Sequence, residues 1–196
     1  MSDLNETIAL NPITTSSVPV VPKDDLGPIG SATGFIARAN GLDYLVTNRH
    51  VATGLDNITH RSLDTVGHRR PRSLNWITQG TTGITHDHQV DLYDTDLQPR
   101  WLEHPRFGAS ADIAALPLGP EGATELHMAR PVDTASMSST PSSSAPSVRV
   151  TNSVLVVGYP WGHSGGLPGA AIWTQGVIAS ELDLEVLGDF PTFFHR

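Results

Sequence analysis

The chain of 196 residues reads as all-β, a sandwich or a barrel. Three observations carry that expectation. Apolar residues do not recur at the three-to-four spacing of an amphipathic helix over any long window. The apolar runs are about five to seven residues long and are bounded by turn formers. The 18 Gly and 15 Pro supply those turns along the whole length.

In chain order, residues 1–24 are polar and carry Pro12, Pro19 and Pro22, so they read as a flexible N-terminal arm that adds a short strand at 17–21. Residues 31–53 hold two apolar runs, GFIAR and DYLVT, on either side of Asn40-Gly41. Two such runs around Asn-Gly predict a β-hairpin, because both residues tolerate the positive φ of its turn. Weak strands follow at 73–78 and 81–85, then an irregular acidic stretch over 91–110. Residues 111–118, ADIAALPL, form an apolar run with a proline inside it, which disfavours a helix. One helical turn is expected within 119–133. Residues 134–148 are almost entirely Ser, Thr, Pro and Ala, too little apolar surface to order themselves, and read as a linker. Strands follow at 153–159 and 171–180, joined by PWGHSGGLPG.

Composition narrows the function classes. Twelve basic against 20 acidic residues give a net charge of −8, which argues against nucleic acid or an anionic membrane as partner. With no cysteine there is no disulfide, thiolate metal site, iron–sulfur cluster or Cys nucleophile. No apolar run approaches the about 18 residues of a membrane span. No signal peptide is visible in MSDLNETIAL, and the default location is cytoplasmic.

Two residues suit chemistry. His50 closes the strand DYLVTNR, where a rigid scaffold aims an imidazole that titrates near neutral pH. Asp112 is the one charge heading its apolar run. A partly buried carboxylate needs a partner, and an imidazole is a natural one. His86 and His88 alternate as two rings on one strand face would, without an obvious third metal ligand. Asp91, Asp94 and Asp96 supply oxygen ligands but not the EF-hand spacing. Arg69, Arg70 and Arg72 beside His68 read as a solvated turn, and Trp101 as packing for the loop that leads to Asp112.

SATGFIAR, DYLVTNRHVATG, DIAALPL and VLVVGYPWG…LPG…WTQGVIAS, in that order, resemble a trypsin-like serine peptidase of the chymotrypsin fold, of the disulfide-free bacterial and phage type. The likeness covers about residues 29 to 182. It implies a double β-barrel, with T-x-x-H-V placing the catalytic His at His50 and D-I-A-A-L placing the catalytic Asp at Asp112. The implied layout is an arm over 1–24, a first barrel over 25–133 with both residues, a linker over 134–149 and a partial second barrel over 150–196.

The family's nucleophile lies in a G-x-S-G-x-P segment that should follow the G-x-I-A-S strand, and no such segment is found there. Gly162-His163-Ser164-Gly165-Gly166 imitates it, in the right order after His50 and Asp112, yet between the first two strands of the second barrel. Ser164 therefore reads as a turn residue, with nucleophile as the alternative. The expectation is a serine endopeptidase acting on polypeptides without cofactor or metal, truncated before its nucleophile; whether this chain is itself active is not legible in the sequence. The alternatives are a protease-derived binding domain without catalysis and a metal-assisted hydrolase built on His86 and His88. Cleavage specificity and oligomeric state are not legible.

Overall fold

The Asn40-Gly41 turn forms as its residues dictate. Both have positive φ, 51° and 77°, and Ala39 pairs with Leu42 across a two-residue loop. The computed structural model describes residues 12–79, 85–119, 131–134, 150–165 and 170–178. The hairpin joins β3 (Ala32–Ala39) to β4 (Leu42–Thr47), which lie beside β1 (Ser17–Asp24). A two-residue strand β2 (Gly27–Pro28) folds back on the end of β1. The sheet continues through β5 (Ser73–Gln79) and β6 (Thr85–Asp91) on one side and β7 (Ala114–Pro117) on the other, in the order β6-β5-β1-β3-β4-β7. A short β8 (Val132–Asp133) adds parallel to β3. A separate pair, β9 (Ser153–Gly158) and β10 (Ile172–Val177), runs antiparallel. The fold is all-β: a curled sheet forming the first barrel of a chymotrypsin-like double barrel, with two described strands of the second.

Alternation builds the core. Val18 and Val20 of β1, Ile36 of β3, Leu45 of β4, Leu74 and Trp76 of β5, and Leu116 of β7 all point into the curl, joined by Leu92 and Trp101 from the connections. Ile36, Leu45, Leu74, Leu92 and Leu116 are fully buried, each contributing roughly 1.5–3 kcal/mol of transfer free energy. The rigid wall they make positions everything attached to the ends of β4 and β7.

Three differences from the sequence expectation have physical causes. Residues 12–24, grouped by sequence with a flexible arm, hold α1 (Pro12–Ser16) and β1, an inner strand of the sheet. The short strand expected at 17–21 runs on to Asp24, and β1 pairs with β3 over residues 17–20 and with β5 over 20–23. Pro19 and Pro22 thus lie in half-strands with one partner each, where a missing N–H need break no ladder bond. Ser17–Asp24 thus lies in the same sheet as β3 and β5. In β6, THDHQVD has one buried residue, His88, so apolar alternation is silent there. The acidic stretch after it runs along the sheet: Leu102 and Ala115 exchange backbone hydrogen bonds of 2.8 and 3.0 Å, extending the edge of β7. Residues 1–11, most of the weak strand at 81–85, residues 120–130 of the 119–133 stretch in which one helical turn is expected, the linker from 135 to 149 and the end from 179 lie outside the described residues.

The second unit is tied to the first by polar contacts at one edge. Tyr159, buried after β9, donates its hydroxyl to the Ser17 carbonyl at 3.1 Å, while its backbone N–H donates to Thr33 Oγ1 at 2.8 Å. Burial pushes the Tyr159 phenol up to about 12. Trp173 Nε1 donates to Thr14 Oγ1 at 2.8 Å.

Candidate active site

The chain turns directly from β4 into a single helical turn, α2 (Arg49–Thr53). Val51 and Ala52 are buried in the core, which fixes the rotation of the turn and so the direction of His50. The turn ends at Gly54, in the left-handed region at φ 67°, whose N–H donates to the His50 carbonyl at 2.9 Å. A side chain there would also stand 2.8 Å from Pro71 Cδ, so glycine is required twice over.

Asp112 comes from the opposite side. The chain leaves the edge of β7 at Leu102 and closes a short bridge between His104 and Gly108. It then makes a 3₁₀ turn over Ala109–Ala111. Asp112 follows at φ 44°, ψ 38°. The sequence placed it at the head of the strand. It lies two residues before β7, in a left-handed conformation that Asp tolerates at some cost. That conformation sits at the contact with α2. Asp112 Oδ2 is 2.8 Å from His50 Nδ1, and Oδ1 accepts the His50 backbone N–H at 2.9 Å. Asn48 Nδ2 donates to Oδ2 at 3.2 Å and to the Asp112 carbonyl at 3.3 Å.

A carboxylate only accepts, so Nδ1 must carry the ring proton, which leaves Nε2 with its lone pair. Both side chains are about one-third exposed, 39% for His50 and 30% for Asp112. His50 lines a cleft of about 620 Å³ whose walls include Ile29, Ser31, Thr33, Leu63 and Pro71. Its charged members are engaged within the protein. Arg69 forms a two-pronged ion pair with Asp24 and donates to the Gly27 carbonyl. Hydrogen bonds from Arg69 hold the Asp24 carboxyl down at about 2. The Asp64 carboxyl is held below its ordinary value by the N–H groups of Gly67, Val66 and Arg69. Near His50, Asp56 is kept ionised by the N–H and hydroxyl of Thr59, with the imidazole a smaller influence.

Arg49 and Glu103 brace the same junction. Arg49 Nε donates to Glu103 Oε1 at 2.8 Å, and Trp101 Nε1 reaches that oxygen at 3.3 Å. The Glu103 carboxyl is lowered chiefly by Arg49. Three consecutive side chains, Asn48, Arg49 and His50, thus grip the segment from 101 to 112. The sequence flagged only the last.

Ser164 is exposed in the connection between β9 and β10. The 3₁₀ turn Pro160–Gly162 precedes it, and the next residue, Gly165, donates its N–H to the Ala170 carbonyl at 2.8 Å, closing the loop. A side chain at Gly162 would stand 3.3 Å from Ser31 Cβ, so this turn packs against the rim of the His50 cleft. Among the described residues no hydrogen bond joins Ser164 to His50. His88 stacks on Trp76, ring centres 5.2 Å apart, with Nε2 2.7 Å from Thr78 Oγ1. Asp94 Oδ1 accepts the N–H groups of Asp96 and Gln98, which organises its own loop. No group of three or more His, Cys, Asp or Glu among the described residues is arranged to hold a metal ion. Two members of the basic cluster are paired, Arg69 with Asp24 and Arg72 with Asp25.

No helix among the described residues is long and apolar enough to cross a membrane. A search of curated proteins returned no match. A family model, described as a trypsin-like peptidase domain, matches residues 32–191, a span that contains His50, Asp112 and Ser164. With a curled β-sheet, a His and an Asp in contact beside the paired ends of β4 and β7, and a match over most of its length, the chain belongs to the trypsin-like peptidase domain family, whose substrates are polypeptides.

Proposed function

We propose that the protein is a serine-type endopeptidase in which His50 is the general base and then the general acid, and Asp112 orients it. The observation that carries this reading is the 2.8 Å contact between His50 Nδ1 and Asp112 Oδ2, made on the wall of an open cleft. In the reaction a serine Oγ attacks the carbonyl carbon of the scissile peptide while His50 Nε2 takes its proton. The same proton passes to the leaving amine as the C–N bond breaks, giving an acyl-enzyme. Water, deprotonated by His50, then releases the acid. Asp112 stays ionised throughout and stabilises the imidazolium.

A fluorophosphonate probe followed by peptide mapping tests this. The expected result is covalent labelling of one serine that disappears in His50→Ala, and the mapped peptide decides whether Ser164 is that serine. A second reading, a protease-derived binding domain without catalysis, is favoured by the place of Ser164 in a hairpin connection without a bond to His50. Absence of labelling in the folded chain supports that second reading and overturns the first.

A further inference from the structure

Asn48 occupies the N-cap position of α2, with the extended backbone of a cap (φ −71°, ψ 145°). A capping Asn normally turns its side-chain oxygen back to accept an N–H of the first helical turn. Asn48 makes no such bond. Its amide points the other way, and the Nδ2 group spans the Asp112 carbonyl at 3.3 Å and Oδ2 at 3.2 Å. Both of those atoms are acceptors, so only the NH₂ end can face them, and the amide orientation follows from the chemistry.

We propose that Asn48 is a positioning residue for the His50–Asp112 pair, setting the rotation of the carboxylate so that Oδ2 faces Nδ1. The need for it lies in the local backbone. Asp112 stands in a left-handed conformation, at the junction of a 3₁₀ turn and β7, with its side chain about one-third exposed. His50 alone supplies both other donors to the carboxylate, its backbone N–H to Oδ1 and its ring N–H to Oδ2, and the ring can turn with the carboxylate it is bonded to. Asn48 adds a donor from outside His50, bonded both to Oδ2 and to the main-chain carbonyl of Asp112, which ties the carboxylate's rotation to its own backbone. The ring then keeps its proton on Nδ1. Asn48 touches neither reacting atom in this role and acts through Asp112. The proposal gains its catalytic meaning from the serine-peptidase reading, but its test does not depend on turnover.

The test is the ¹⁵N spectrum of the His50 ring in the full chain, at a pH where the ring is neutral, for wild type, Asn48→Ser and Asn48→Ala. Serine is as good an N-cap as asparagine but too short to reach Asp112. The expected wild-type ring is the Nδ1–H tautomer with a protected Nδ1 proton. In Asn48→Ser that proton signal is lost and the two ring nitrogens move towards shared shifts, while the melting temperature holds. Asn48→Ala gives the same ring change. Arg49→Ala, which cuts the neighbouring brace to Glu103, lowers the melting temperature and leaves the tautomer in place. Wild-type ring shifts in folded Asn48→Ser, or in folded Asn48→Ala, overturn the proposal. Absent fluorophosphonate labelling beside the expected tautomer shift defeats the peptidase reading alone.

Discussion

Replacing Asp112 by Asn changes one oxygen for an NH₂ and leaves the shape intact, yet two sets of hydrogen bonds cannot both survive. With the amide oxygen kept on the His50 backbone N–H, where the contact is 2.9 Å, the new NH₂ faces His50 Nδ1 and Asn48 Nδ2. Nδ1 must then accept, the ring proton moves to Nε2, and the base is lost. With the amide turned over, its NH₂ meets the His50 backbone N–H, and an unmatched donor pair costs about 1–3 kcal/mol. The site's exposure places that cost at the lower end, because water reaches the unmatched groups. The first arrangement sets the new NH₂ against Asn48 Nδ2, but Asn48 keeps the main-chain carbonyl of residue 112 as its acceptor, so this arrangement is the expected one. The fold loses about 1 kcal/mol or less, while turnover falls about 10⁴-fold, the usual effect of the wrong tautomer in such a site and equal to about 5.4 kcal/mol of barrel-independent barrier. Peptide hydrolysis and a denaturant titration on the same sample separate the two quantities. Turnover within tenfold of wild type in a folded Asp112→Asn protein would refute the assigned role of Asp112.

Other consequences are more local. The Asp24 carboxyl sits at about 2, against an ordinary 3.8, because Arg69 binds its charged form. A depressed carboxyl contributes stability above its unfolded value and loses it as pH falls through its folded one. The stability difference between wild type and Arg69→Ala should therefore shrink from about pH 4 downward and level off below about pH 2 at the part left by the Arg69 hydrogen bonds to the Gly27 and Pro28 carbonyls. Chemical denaturation at pH 6 and at pH 2 checks this, and equal differences at both contradict it. Leu45→Ala empties a fully buried position between β3 and β7 and should cost about 2–5 kcal/mol, read as a lower denaturation midpoint at unchanged slope.

Much of this molecule was legible before any coordinates, for identifiable reasons. Asn40-Gly41 specifies its turn by backbone sterics alone, and SVLVVGY and AIWTQGV carry enough apolar residues to declare β9 and β10. His50 and Asp112 stood out because each is a polar residue attached to an apolar run. What stayed hidden depends on contacts distant in sequence. A short strand at 17–21 was legible, but its extension to Asp24 and its inner place in the sheet depend on a change of partner at Val20 that no local pattern shows. Edge strand β6 shows its inner side through one buried histidine, whose polarity conceals it. The left-handed turn at Asp112 and the reach of Asn48 across 64 residues have no local signature beyond an Asn two positions before the His. Arg69 looked like part of a solvated basic turn, and its partner Asp24 lies 45 residues away.

The most direct measurement is mass-spectrometric profiling of a mixed peptide library incubated with the wild-type protein and with His50→Ala, each verified as folded. Internal cleavage by the wild type, falling by about 10⁶-fold when the imidazole is removed, is the result expected of a base that acts through serine. Equal cleavage by both proteins, or none by the folded wild type, would contradict it.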